Sequence, residues 1–144
     1  MAHFPTKLGI ISLVIALTII SLGDVYGADW RLLSKSARGL YYYDRETLEQ
    51  PLSDVKRVWV VFYPSEVVIS VFEVMYGERY ADLSCSYELV EIHCRKRLVR
   101  VIAQESHSSD GAFIGCIYSR LPTPWVIPAQ ENIGALRLLE VLCK

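Results

Sequence analysis

The chain has no excess of charge: 15 basic against 16 acidic residues leave a net charge of −1 over 144 residues. That balance excludes a polybasic nucleic-acid binder. The one tight basic group, Arg95-Lys96-Arg97, falls where a hairpin tip is expected. Histidine is scarce, with only His93 and His107 beyond the N-terminal region. His93 is followed by Cys94, and neighbours on a strand face opposite sides, so the two do not make a metal-ligand pair. CxxC, HExxH, acidic calcium-loop, GxSxG, phosphate-loop and dinucleotide-binding patterns are all missing. Their absence leaves no sequence grounds for a zinc, calcium, nucleotide or α/β-hydrolase site. His107-Ser108-Ser109-Asp110 does hold the residue types of a hydrolase triad. Crowded on one turn, they cannot take up relay geometry, and the stretch reads as a hairpin turn. Neither an enzyme nor a cofactor or metal site is expected. No internal repeat or low-complexity segment stands out.

What is present begins with an apolar N-terminus. Lys7 precedes the run from Leu8 to Leu22, and Val25-Tyr26-Gly27 follows. The order of charge, apolar core and small residue is that of a secretory signal peptide cut after Gly27. The run is shorter than the roughly 20 residues that span a bilayer. Residues 1–27 are therefore expected to be removed, leaving a domain over 28–144. The expected location is the periplasm or the cell surface, with membrane contact only during export.

Four cysteines remain, Cys85, Cys94, Cys116 and Cys143. An even count in an oxidising compartment predicts disulfides, and four cysteines allow three connectivities. Cys94 and Cys116 are two strands apart and out of step, beyond the roughly 7 Å that a bridge tolerates. The other two connectivities stay open on these grounds.

The remaining pattern is mostly period two. Ser86 to Ser119 reads as three antiparallel strands. Val90, Ile92 and Cys94 share one face, as do Val99, Val101 and Ala103; Ala112, Ile114, Cys116 and Tyr118 form the third row. Pairing the first two rows needs an even loop at Arg95–Leu98. An even loop at Ser108–Gly111 would bring Cys116 to the face of Cys94 and Val101. Upstream, 28–34, 40–44 and 55–63 read as strands, with the polar stretch 45–54 between the last two and Pro64 as a stop. Tyr41 and Tyr43 share one face and Tyr42 the other. Residues 65–77 predict a short helix, with Ser65 as a candidate cap, Val68, Phe72 and Met75 at helical spacing, and Gly77 at its end. Glu131 to Cys143 predicts a second helix, started by Gln130 or Asn132, with Ile133, Leu136, Leu139 and Cys143 as its buried stripe. Leu138 and Leu142 fall outside that stripe and predict a second contact, either with a loop or with a partner subunit. Together these elements predict an α+β domain, an antiparallel sheet of about six strands with a C-terminal helix packed on it.

Several stretches in order resemble the surface-adhesin protein E-like family of small exported bacterial proteins. They are Trp30, Tyr42-Tyr43-Asp44, Val55-Lys56-Arg57-Val58-Trp59-Val60, Glu88 to Cys94, Asp110-Gly111, Trp125-Val126-Ile127-Pro128 and Val141-Leu142-Cys143. The resemblance covers nearly all of 28–144. It implies the same sheet-and-helix fold, a disulfide between Cys94 and Cys143, and a homodimer. Cys85 and Cys116 are additional to the family pattern and are the pair left for a second bridge. Ala129-Gln130 also departs from the family pattern, at the start of the last helix.

The expected function is an exported, non-enzymatic binding module, adhesin-like or a periplasmic binder of a protein partner. Two alternatives accompany it. One is a structural homodimer of the cell envelope. The other is a small-ligand or haem carrier using the Tyr41–Tyr43 strand with His93 or His107.

Overall fold

A computed structural model describes residues 28–144. The predicted signal peptide over 1–27 lies outside the described residues. Seven strands form one antiparallel sheet: β1 (Trp30–Ser36), β2 (Gly39–Asp44), β3 (Glu49–Leu52), β4 (Val55–Pro64), β5 (Leu83–His93), β6 (Leu98–Ser108) and β7 (Phe113–Gly115). Their order is β1-β2-β4-β5-β6-β7, with β3 paired to β4 off that path. Two helices complete the domain, α1 (Glu66–Tyr76) and α2 (Ile133–Leu142).

The α+β reading therefore holds, with seven strands in place of about six. The additional strand is β3, which lies inside the stretch read as a polar connection. All four of its residues are exposed and one is Pro51. No apolar alternation marks it, because it buries nothing.

The central register follows the parity of the sequence. Val90 pairs with Val101 and Ile92 with Val99, and the loop between His93 and Leu98 is even. Ala103 departs from the expected row. Leu89 pairs with Ala103 and Val90 with Val101, so Ile102 is an extra residue in β6. Such a bulge reverses the facing of everything beyond it. Gln104 and Ser106 thereby replace Ala103 on the inner face. The second turn departs as well. His107 pairs with Phe113, closing an odd-numbered loop, with Gly111 at φ 84°. The third strand is reduced to Phe113–Gly115, and Cys116 lies past its end.

α2 covers one face of the sheet. Leu33, Val58, Val60, Val90, Ile92 and Val99 pack beneath Leu138, Leu139 and Leu142. Each such side chain contributes about 1.5–3 kcal/mol on burial. The expected stripe was thus rotated: Leu138 and Leu142 are buried, whereas Ile133 is exposed. Gly134 explains the rotation. A Cβ there would lie 2.9 Å from Cδ1 of Tyr41, so the helix rests its glycine on that ring. Asn132 is the helix cap, its Oδ1 accepting from the Ala135 amide at 3.1 Å. The second contact predicted at Leu138 and Leu142 is the sheet itself.

α1 lies where a helix was expected. Gly77 ends it at φ 102°. Ser65 occupies the cap position without a side-chain hydrogen bond, and its Oγ is buried and unpartnered.

Candidate functional site

Cys94 and Cys143 form a disulfide joining the end of α2 to the β5–β6 turn. Cys85 and Cys116 are free thiols, which corrects the second bridge. Cys85 pairs with His107 and opens onto the face of the sheet away from the helices. Cys116 lies beyond β7, its Sγ directed at the Tyr118 carbonyl. Burial raises the Cys85 thiol above its ordinary pKa, which keeps it in the less reactive protonated form.

The face away from the helices carries a shallow aromatic groove of about 600 Å³. Trp30, Trp59, Tyr63 and Tyr87 line it, with His107 and Glu105 at one end. Trp30 and Tyr87 rings lie 6.1 Å apart. His107 packs edge-on to Tyr87 at 5.5 Å. Its Nδ1 bonds the Gly111 carbonyl oxygen at 3.1 Å, not Ser108 or Asp110. The Ser108 hydroxyl instead donates to Asp110 within the turn. The four residues run from the end of β6 into a hairpin turn at Ser109 and Asp110.

At the far end of the same face Glu91 is clamped by two arginines. Arg57 Nη2 and Arg100 Nη2 each approach one of its oxygens at 2.6 Å. Burial pushes the Glu91 carboxyl up, but the hydrogen bonds and charges of the two guanidiniums outweigh that and hold it below the ordinary carboxylate range. Arg100 is stacked in turn on Trp125, 4.5 Å from the ring centre. His93 meets Trp125 edge-on at 6.0 Å.

The helix side holds a different arrangement. Between α1 and the segment 129–132 that leads into α2 runs a cleft of about 490 Å³. Tyr41 and Phe62, stacked at 4.2 Å, lie in it, with Phe72 and Tyr76 of α1 and Tyr118 around them. Glu88 shares the inner face of β5 with Val90 and Ile92, and its carboxyl reaches this cleft. Its hydrogen-bond partner is the Tyr118 hydroxyl, which donates to Oε1 at 3.3 Å. Among the described residues no Lys or Arg forms an ion pair with it. Burial raises the Glu88 carboxyl above its ordinary range, opposed by the Tyr118 hydrogen bond. Burial, with Glu88 adding to it, pushes Tyr41 up to about 12. A smaller pocket of about 70 Å³, also lined by Tyr41, Glu88 and Tyr118, continues beneath Gly134.

The outer side of α1 is apolar too. Val67, Val71, Val74 and Met75 are 73%, 48%, 86% and 64% exposed. They fall on one helical face, and the buried Val68 adjoins its edge beside Val71 and Met75. Glu66 and Glu73 are the charged residues of this helix.

The residues expected to serve a haem carrier are divided between the two faces, with Tyr42 on the side of His93 and His107, beside Trp30 and Tyr63. Tyr41 and Tyr43 pack against the helix-side core, whereas His93 and His107 are on the other face, at opposite ends of the β5–β6 pair. At about 3.3 Å per residue those ends are more than 20 Å apart. Glu88 and the outer α1 stripe were not singled out from sequence. The signal for Glu88 was present, as a carboxylate two residues before Val90 on an apolar row. No protein-family model matches the chain, and no curated protein matches it.

Proposed function

We propose that the chain is an exported, non-enzymatic binding module that engages a protein partner through the outer face of α1. The observation that carries this reading is the exposed stripe of Val67, Val71, Val74 and Met75. Contiguous apolar surface of this kind is the mark of an interaction site. The partner is a protein with an apolar groove and basic residues along one rim, because Glu66 and Glu73 both lie on one side of the stripe and there is no Lys or Arg on the helix. The same charge disfavours an anionic membrane surface. Export is supported by the apolar segment before Gly27, and the Cys94–Cys143 disulfide is consistent with an oxidising compartment. The surface-adhesin protein E-like resemblance fits this reading, with the periplasm or the cell surface as the location.

A homodimer is the second reading, with the exposed stripe of α1 as its seam, since Leu138 and Leu142 are covered by the sheet. Light scattering of the purified protein separates the two. A monomer at high concentration supports a foreign partner. A dimer dispersed by Val74→Glu supports self-association. Fractionation tests export: a chain retained in the cytoplasm with residues 1–27 attached would overturn it.

A further inference from the structure

We propose that the cleft between α1 and the segment 129–132 leading into α2 is a binding site for a small organic cation, a quaternary ammonium or protonated amine, with Glu88 as its counter-ion and Tyr41, Tyr76 and Tyr118 as its aromatic walls. Val71 and Met75 belong both to the wall of this cleft and to the outer stripe of α1; the test below uses the protein alone and so does not depend on what docks there.

The two glutamates of β5 show why. Glu91 is buried on one face and neutralised by Arg57 and Arg100. Glu88, on the other face, has no such partner among the described residues. Its bond to Tyr118 satisfies one oxygen, and the carboxyl borders both the 490 Å³ cleft and the smaller pocket behind it. Leaving a carboxylate in an apolar setting without a cation is costly. The groups around it are aromatic. Tyr41, Phe62, Phe72, Tyr76 and Tyr118 all line the cleft. Aromatic faces attract cations, most strongly where water is displaced, and their combination with one carboxylate selects an ammonium over a neutral group of equal shape. Arg38 and Glu131 also line the cleft, both of them exposed. Arg100 lines the smaller pocket with Glu88, but its guanidinium is paired with Glu91.

The cleft also has a pH signature. The raised Glu88 carboxyl must ionise to hold a cation fully. Affinity for a quaternary ammonium, which cannot itself lose a proton, therefore rises as pH climbs from the ordinary carboxylate range through the raised value. Tyr41 and Tyr118 are both raised, so they stay neutral over that interval.

The probe is choline, set against 3,3-dimethylbutan-1-ol, its neutral isostere, in calorimetric titration of the full protein. Saturable choline binding is expected, with the alcohol about tenfold weaker or worse. Glu88→Gln, which keeps the shape and the Tyr118 bond, should weaken choline about tenfold and remove the rise with pH, while Glu131→Gln should not. No saturable choline binding by the native protein at about 50 mM, far above the usual range for such sites, would overturn the proposal. So would equal binding of the alcohol, which tests the native protein whatever the variant does. Undiminished choline binding by a folded Glu88→Gln protein would also overturn it.

Discussion

Cys94 and Cys143 lie 5.2 Å apart at their Cα atoms and are covalently joined across 49 residues of sequence. The bond fastens the last turn of α2 to the turn that follows β5. α2 supplies three of the buried leucines of the core, so its loss would open the sheet to water.

On loop-entropy grounds, closing a loop of that length stabilises by about 4 kcal/mol. Reduction, or the double substitution Cys94→Ala with Cys143→Ala, should lower the urea midpoint accordingly. Cys85→Ala and Cys116→Ala should leave the oxidised protein's non-reducing mobility unchanged. An unaltered midpoint after reduction would contradict the tether.

The Glu91 clamp predicts acid sensitivity. Its carboxyl is held below the ordinary value by Arg57 and Arg100. The stabilisation is therefore complete above the ordinary carboxylate pKa and is lost as pH falls through the lowered one. Glu91→Gln should cost on the order of 2 kcal/mol near neutrality, at the low end for a buried pair because both guanidiniums reach solvent. Urea unfolding at about pH 7 and about pH 3 should show a smaller loss on acidification in the variant than in the native protein. Equal losses would refute this role.

Glu88 predicts the opposite slope. Its carboxyl is raised by burial, so ionisation penalises the folded state and stability declines as pH rises from the ordinary carboxylate value through the raised one. Arg38, Tyr41, Tyr76, Tyr118 and Glu131 are the charged and titratable groups around the same cleft. Glu88→Gln should match or exceed the native melting temperature at about pH 8. A clearly lower value would contradict the burial account.

Gly134 is fixed by packing, not by backbone conformation. A Cβ would meet three carbons of the Tyr41 ring at 2.9–3.1 Å. Gly134→Ala gains about 1 kcal/mol in helix propensity but overpacks the contact by about 1–3 kcal/mol. A net loss of melting temperature is expected; a gain would show that the helix can shift freely.

Much of the sheet was legible because its inner face is apolar and alternates. Val90, Ile92, Val99 and Val101 fixed the pairing of β5 with β6, and Pro64 and Gly77 marked real boundaries. What was missed has identifiable causes. The bulge at Ile102 leaves no mark in a row of β-branched residues. Strand β3 buries nothing and so carries no pattern. The α2 stripe was misjudged by one helical position because Gly134 has no side chain to register as buried, although it is the closest contact with Tyr41. The outer stripe of α1 was hidden by composition: apolar residues run on from the covered side, at Val68 and Phe72, to the exposed one, at Val67, Val71 and Val74, so the pattern does not reveal where the sheet's cover ends. Glu88 was passed over because its significance depends on where Tyr118 and α1 come to lie.

The most direct measurement is photo-cross-linking from position 74 in cells that produce the protein. Val74 is the most exposed residue of the stripe, and a reactive residue there should be covered by the partner. The account predicts an adduct between this chain and a different protein, reproduced with the two purified components and lost when Glu66→Lys and Glu73→Lys reverse the flanking charge. An adduct of two copies of this chain would favour the homodimer. No adduct from position 74, or one indifferent to the charge reversal, would contradict a basic-rimmed protein partner on α1.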